Sequence, residues 1–256
     1  MISKHAIIDP SAQIAEDVTI GPGTIIGPNV EIGKGTWIGP QVVIQGPTKI
    51  GERNKIYQFA SIGDDPQDKH YQGEPTKLEI GNDNIIREFC MLSRGTVNGR
   101  GVTKIGNNNF LLAYAHVGHD CVVGNNVVLV SYCALSGHVF VDDYVNIGAY
   151  AAIHQFCKIG AYAFIARATY VTKDVLPYVM IAGHSTNACG INTVGLRRAG
   201  FASEAIDNLR RAYKIIFRKG LTVQQAAAEL EVMQKDCPEV IRMLDSLNSS
   251  TRGIVR

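Results

Sequence analysis

An isoleucine falls on every sixth residue from the N-terminus: Ile2, Ile8, Ile14, Ile20, Ile26, Ile32, Ile38, Ile44, Ile50, Ile56 and Ile62. Glycine follows it at Gly21, Gly27, Gly33, Gly39, Gly51 and Gly63. A period of six fits neither the 3.6-residue turn of an amphipathic helix nor the simple alternation of a strand. It reads as the hexapeptide repeat of a parallel β-helix, in which each hexad is one short side of a coil. The inward isoleucine stacks on its equivalents above and below, and burying each is worth roughly 1.5–3 kcal/mol. Gly or Asn at the corners, as in Gly106-Asn107-Asn108-Asn109, is expected to accept the positive φ of a tight turn.

The pulse returns at Ile80, Ile86 and Leu92, shifts phase once, and then runs unbroken from Ile105 to Val171. Two polar, glycine-bearing stretches interrupt it, 64–78 and 93–103, and loops leaving a rigid scaffold are where function concentrates. After Val171 the pulse dies near Pro177. Phe201 to Lys219 has a helical period, with Ile206, Leu209, Tyr213, Ile216 and Phe217 on one face and Gly220 as the stop. Thr222 with Gln225 makes a capping box for a second helix, and Pro238 opens a third with Ile241 and Leu244 inward. The expected organisation is a β-helix over 1–192 and a small α-helical domain over 193–256.

The net charge of +2 argues against a strongly basic nucleic-acid binder. From Thr193 to Arg256 there are eleven Lys/Arg against seven Asp/Glu, so the basic excess belongs to the helical end. The six cysteines are scattered without a C-x-x-C, which suits a reducing cytoplasm better than a disulfide framework or a thiolate zinc site. No run of about 18 apolar residues could span a membrane, and no basic-then-apolar leader is evident.

Titratable groups interrupt this aliphatic wall at Ala115-His116-Val117-Gly118-His119-Asp120-Cys121. With three sides of six, residues eighteen apart stack at a rise of ~4.8 Å. The column through His119 then continues to Gly137 and Gln155, with His138 and His154 each one residue off it. Three histidines, a glycine and a glutamine gather along one edge over about 10 Å, the span of a substrate lying along the rod. His5 and His184 lie outside the column and are read as ordinary.

Tyr57-Gln58-Phe59-Ala60-Ser61-Ile62-Gly63, Gly73-Glu74-Pro75-Thr76, the His116–Cys121 stretch, Ser136-Gly137-His138, His154-Gln155-Phe156-Cys157 and Ser250-Thr251-Arg252-Gly253 resemble, in order and over essentially the whole chain, the acyl-carrier-protein-dependent UDP-N-acetylglucosamine O-acyltransferases of lipid A synthesis. The resemblance implies a left-handed β-helix and a homotrimer with active sites in clefts between subunits. It implies a cytoplasmic enzyme that takes a 3-hydroxyacyl group from acidic acyl carrier protein to a UDP-sugar acceptor, without cofactor or metal. Carried over by position, His119 resembles the general base, Asp120 its orienting carboxylate and Gly137 the backbone donor to the thioester oxyanion. His116, His138, His154, Gln155, Asn192 and Arg198 match substrate-contacting positions. So do Gln67, Asp68 and His70 in a loop implied to reach the neighbouring cleft. Acyl carrier protein is expected to dock on the basic helical end.

Four positions depart from the family pattern. His70 stands where a lysine is expected, with Lys69 before it. Val194 replaces a glutamate and Ala199 the second of two basic residues in the nucleotide-contacting segment, which leaves open whether a 3-amino sugar is the acceptor. Arg167 stands where some members have a glycine limiting acyl length. Three other functions fit parts of the pattern. A related N-acyltransferase would need a separate N-terminal domain, for which a repeat starting by Ile8 leaves no room. A hexapeptide-repeat carbonic anhydrase would hold zinc between histidines of two subunits. A non-catalytic sugar-nucleotide-binding rod would tolerate loss of His119.

Overall fold

The computed structural model describes residues 1–183 and 186–256, so His184 lies outside the described residues. The hexads form a left-handed parallel β-helix whose strands, among the described residues, make three sheets of nine, eight and ten strands. The first face carries Ile7–Ile8 at one end and His116–Val117, Ala134–Leu135, Ala152–Ile153 and Tyr170–Val171 towards the other. Val122–Val123 belongs to the second face and Val128–Leu129 to the third. Partners in register lie one full coil apart, as in His116 opposite Ala134 and Ala134 opposite Ala152. From Ile20 onward the pulse residues point inward and are at most 3% exposed.

The corners differ from expectation. Glycine and asparagine are a minority at the positive-φ corner position, which is held by Phe59, Phe89, Tyr114, Tyr132 and Tyr150 in one column and by Tyr144, Tyr162 and Tyr178 in another. Bulky residues disfavour this conformation. Here successive coils stack the rings, with centroids 5.0, 4.7, 4.6 and 5.0 Å apart along the first column, and that contact offsets the backbone cost. Asparagine is used inside instead: the side chain of buried Asn54 accepts from the Asn84 N–H, and that of Asn84 from the Asn109 N–H.

The rod does not stop at Pro177. Val179–Ala182 adds a further parallel rung on Phe164–Ile165, and Asn187–Ile191 returns antiparallel to it. Four helices follow, α1 (Thr193–Arg198), α2 (Ser203–Arg218), α3 (Val223–Met233) and α4 (Ile241–Asn248), the last entered through a 3₁₀ turn at Pro238–Val240. The Thr222–Gln225 capping box is present. Ile241, expected inward, is exposed; Val240, Met243 and Leu244 are the buried residues there. The C-terminal tail folds back onto the rod, where buried Asp174 donates its N–H to the Gly253 carbonyl and accepts from Ser250 Oγ at 2.7 Å. No helix among the described residues is long and apolar enough to cross a membrane.

Candidate active site

His119 and Asp120 occupy the corner between the first and second faces, directly after the His116–Val117 strand. Asp120 takes the positive-φ corner conformation, and the 93–103 loop covers its carboxylate and buries it fully. A buried carboxylate must have donors, and it has them. Thr96 Oγ1 donates to Oδ2 at 2.7 Å, the Thr96 N–H lies 3.1 and 3.0 Å from Oδ1 and Oδ2, and the Arg100 N–H reaches Oδ1 at 2.8 Å. His119 Nδ1 meets Oδ2 at 2.9 Å. Burial pushes the Asp120 carboxyl up, but the hydrogen bonds from Thr96, His119 and Arg100 outweigh it and hold the group below the ordinary carboxylate range. An ionised carboxylate only accepts, so His119 must carry its proton on Nδ1 and present Nε2 as a free lone pair. Nε2 has no hydrogen-bond partner among the described residues.

Gly137 lies one coil above. A Cβ built on it would fall 2.5 Å from His119 Cε1 and 2.6 Å from Nε2, so only glycine leaves room for the imidazole. Its N–H donates to no group among the described residues. At the equivalent corner between the second and third faces, the side chain of Asn125 caps the Asn107 N–H and that of Asp143 caps the Asn125 N–H. Neither Gly137 nor the exposed Gln155 above it supplies such a cap, and the amide stays open beside the base.

His138 sits at the positive-φ corner above Asp120, stacked on Phe156 at 4.4 Å and edge-on to His119 at 5.0 Å, with Nδ1 3.9 Å from Asp120 Oδ2. Burial holds its imidazole below the ordinary range, against the pull of Asp120. His116 faces outward on the first face, and burial, with His119 nearby, lowers it too. Both stay neutral donors or acceptors near neutral pH. His154 is one coil further on, where Arg252 of the C-terminal tail brings a guanidinium nitrogen to 3.3 Å of its Nδ1. Burial pushes the adjacent Cys121 thiol up to about 12, so it is no nucleophile.

Near its start the 64–78 loop turns towards the chain's own first face. Gln67 Nε2 donates to Met91 Sδ at 2.9 Å, Met91 being the register partner of His116, and Asp68 acts electrostatically on His138. His70 is exposed at the loop's edge, its N–H on Asp68 Oδ1. Arg94 pins this loop through the Gly46 and Gly63 carbonyls, Asp65 and the Tyr71 hydroxyl. Asn192 and Arg198 are elsewhere. They line a cleft of about 610 Å³ with Asn146, Phe164 and Val194 on the third face, across the three-sided rod from the His119 corner. Asn192 is also committed structurally: its Oδ1 caps α1 through the Gly195 N–H and its Nδ2 donates to the Tyr162 carbonyl. Arg167 is exposed at the corner leading from the third face into the first.

His119, Asp120 and His138 hold potential metal-ligating atoms within 4.8 Å of one another. Both Asp120 oxygens are already engaged by Thr96, Arg100 and His119, so an ion there would have to break the pair that orients His119. Thr96, Arg100, Arg94 and Arg252 were not legible as site residues from the sequence; the matched Ser250–Gly253 stretch was the one available signal, for Arg252.

Residues 174–255 match the family model described as UDP N-acetylglucosamine O-acyltransferase, domain 2. Residues 1–34, 29–64 and 103–137 match the bacterial transferase hexapeptide model. The chain is 52% identical over 255 residues to the acyl-(acyl-carrier-protein)–UDP-N-acetylglucosamine O-acyltransferase of Ectopseudomonas mendocina, covering 100% of this chain and 99% of the relative. Among solved structures it superposes on LpxA from Acinetobacter baumannii with a TM-score of 0.98 at 49% identity, covering 100% and 99% of the two chains. The UDP-N-acetylglucosamine acyltransferase of Arabidopsis gives 0.87 at 33% identity, with 100% of both chains covered.

Proposed function

The chain belongs to the UDP-N-acetylglucosamine O-acyltransferase family, and we propose that it moves a 3-hydroxyacyl group from the thioester of acyl carrier protein to the glucosamine 3-hydroxyl of UDP-N-acetylglucosamine, the first step of lipid A biosynthesis. One observation carries the chemistry: a buried, saturated Asp120 carboxylate fixes His119 with Nε2 bare, beside the open Gly137 amide. His119 Nε2 takes the proton of the 3-hydroxyl as its oxygen attacks the thioester carbonyl. The resulting oxyanion accepts from the Gly137 N–H. Collapse breaks the carbon–sulfur bond, and the imidazolium returns the proton to the departing thiolate. A positioned base supplies typically 10²–10⁴-fold, and one oxyanion donor on the order of 10²–10³. No covalent enzyme intermediate is needed.

His116, His138, His154 and Gln155, with Gln67, Asp68 and His70 from the loop, form a polar row along the acceptor and donor path. Asn192 and Arg198 cannot reach that row within one chain, because they lie on the opposite face. A second copy can bring its third face to the first copy's His119 corner. Repeating that head-to-tail contact closes a ring, which supports a homotrimer. Val194 and Ala199 leave the nucleotide subsite with neither the acid nor the second base of the family pattern. The test is direct: purified protein, UDP-N-acetylglucosamine or its 3-amino analogue, and a panel of 3-hydroxyacyl carrier proteins. Ester formation that persists in a strong chelator is the expected result; no transfer to either sugar overturns the proposal.

A further inference from the structure

We propose that the 93–103 loop is a clamp that positions the His119–Asp120 pair, with the Thr96 hydroxyl as its central contact. This deepens the assignment of His119 as base and rests on it. The loop interrupts the hexads one coil below the active corner, where a regular coil would offer only its own backbone. Instead Thr96 gives the Asp120 carboxylate its amide and its hydroxyl, and Arg100 gives its amide. Thr103 Oγ1 accepts the Asp120 N–H at 2.8 Å. Thr96 is 3% exposed, and its carbonyl accepts from the Gly99 and Gly101 N–H groups at 3.1 and 2.9 Å, so the loop is curled about it. The fit leaves no slack. A Cβ at Gly99 would fall 2.5 Å from Asp120 Oδ1 and closer still to Cγ and Oδ2.

The consequence is chemical. Thr96 Oγ1 and His119 Nδ1 share Oδ2, while the Arg100 amide is on Oδ1. With its acceptor sites filled, the carboxylate can neither rotate nor take a proton easily, so His119 keeps the Nδ1–H tautomer. Deleting the hydroxyl leaves one fewer donor sharing the negative charge and throws more of it onto His119. The other charged or titratable groups facing the pair are His138, 3.9 Å from Oδ2, His116 beside His119, and Arg100 and Asp68, which both act on His138.

Thr96→Val is expected to lower kcat on the order of tenfold, as loss of an orienting partner typically does, with KM for both substrates within about twofold. The acid limb of its kcat–pH profile should move to higher pH, because a less shared carboxylate charge favours the imidazolium. Thr96→Ser should restore both, and Thr96→Ala serves if the valine variant does not fold. In 15N-histidine-labelled wild type, assigned with His119→Ala, the His119 signal should report the Nδ1–H form. An unmoved acid limb in Thr96→Val, equal losses in the serine and valine variants, or an Nε2–H tautomer in wild type would each overturn the clamp. An active His119→Ala would instead overturn the base assignment, whatever Thr96 does.

Discussion

The imidazole of His119 lies against the α-carbon of Gly137 so closely that a methyl group there would overlap its Cε1 and Nε2. The two residues are eighteen apart in sequence and one coil apart in space, and the contact sets the base beside an amide that is unpaired among the described residues. Gly137→Ala should therefore push the ring off its Asp120 partner. The expected loss is at least 10²-fold in kcat, since both base and oxyanion donor are disturbed. The melting temperature should change little, because the corner adds little to the stacked core. His119→Ala, which removes the clash along with the base, should be equally slow, and combining it with Gly137→Ala should cost little more. Additive losses in the double variant would mean that the two residues act independently.

The rod was legible because its cause is local and repeated: each inward aliphatic must be buried, and the period of six survives to Val171. The His119–Gly137–Gln155 column followed from the same arithmetic, as the His116–Ala134 register bears out. The aromatic corners were not legible, since tyrosine and phenylalanine disfavour positive φ until a neighbouring coil supplies a stacking partner. Helix α1 went unread because its six residues bury only Leu196 and include Gly195. Thr96 stayed hidden for a different reason. Its partner is 24 residues away across a loop without a repeat, so no spacing rule connects them.

Half-buried imidazoles tie stability to pH. Burial depresses His116 and His138 below their ordinary 6.5, a value they regain on unfolding. Between the two values the unfolded chain binds more protons, so stability is full above about 6.5 and is lost as pH falls below it. Asp120, also depressed, adds a second loss as pH falls through the carboxylate range. Denaturant midpoints should hold steady above neutrality and decline on acidification. His116→Gln, neutral throughout, should show a shallower decline; an unchanged slope would rule out His116 as a contributor.

Charge at the helical end should govern the donor more than the acceptor. Among the described residues, Arg210, exposed on α2, pairs only with Asp207, and exposed Lys214 has no partner. Arg211 is tied to Asn208 and Cys237, and Arg218 lies over the Tyr213 ring, so these two are less available. Electrostatic attraction to acidic acyl carrier protein mainly speeds encounter and is screened by salt. Arg210→Glu with Lys214→Glu should raise KM for the carrier-bound donor severalfold at low salt while leaving KM for the nucleotide sugar nearly unchanged. Equal effects on both substrates would remove the helices from the docking surface.

Acyl chain length is expected to turn on Arg167, where the family resemblance implies a glycine in some members. Arg167 follows the Phe164–Ile165 strand, 48 residues past His119, which is just under three coils, or about 13 Å along the rod. It stands beside Ala168, which continues the positive-φ column above Tyr150 and ends the aromatic stack. The guanidinium is exposed and unpaired among the described residues, so its methylene stem is free to lie along the first face while the charge reaches water. An acyl chain that crosses the first face as it rises from His119 would meet it. Each further CH₂ buried normally gains about 0.8 kcal/mol. A blocked groove forfeits that gain and adds a clash, so two carbons can shift selectivity by roughly tenfold or more. Wild type should favour shorter 3-hydroxyacyl donors, and Arg167→Gly should move the optimum to longer ones without changing KM for the sugar nucleotide. If the profile stays where it was, Tyr170 or Phe164, which flank Arg167 on the adjoining faces, becomes the stop to test next, and Arg167 is not the ruler.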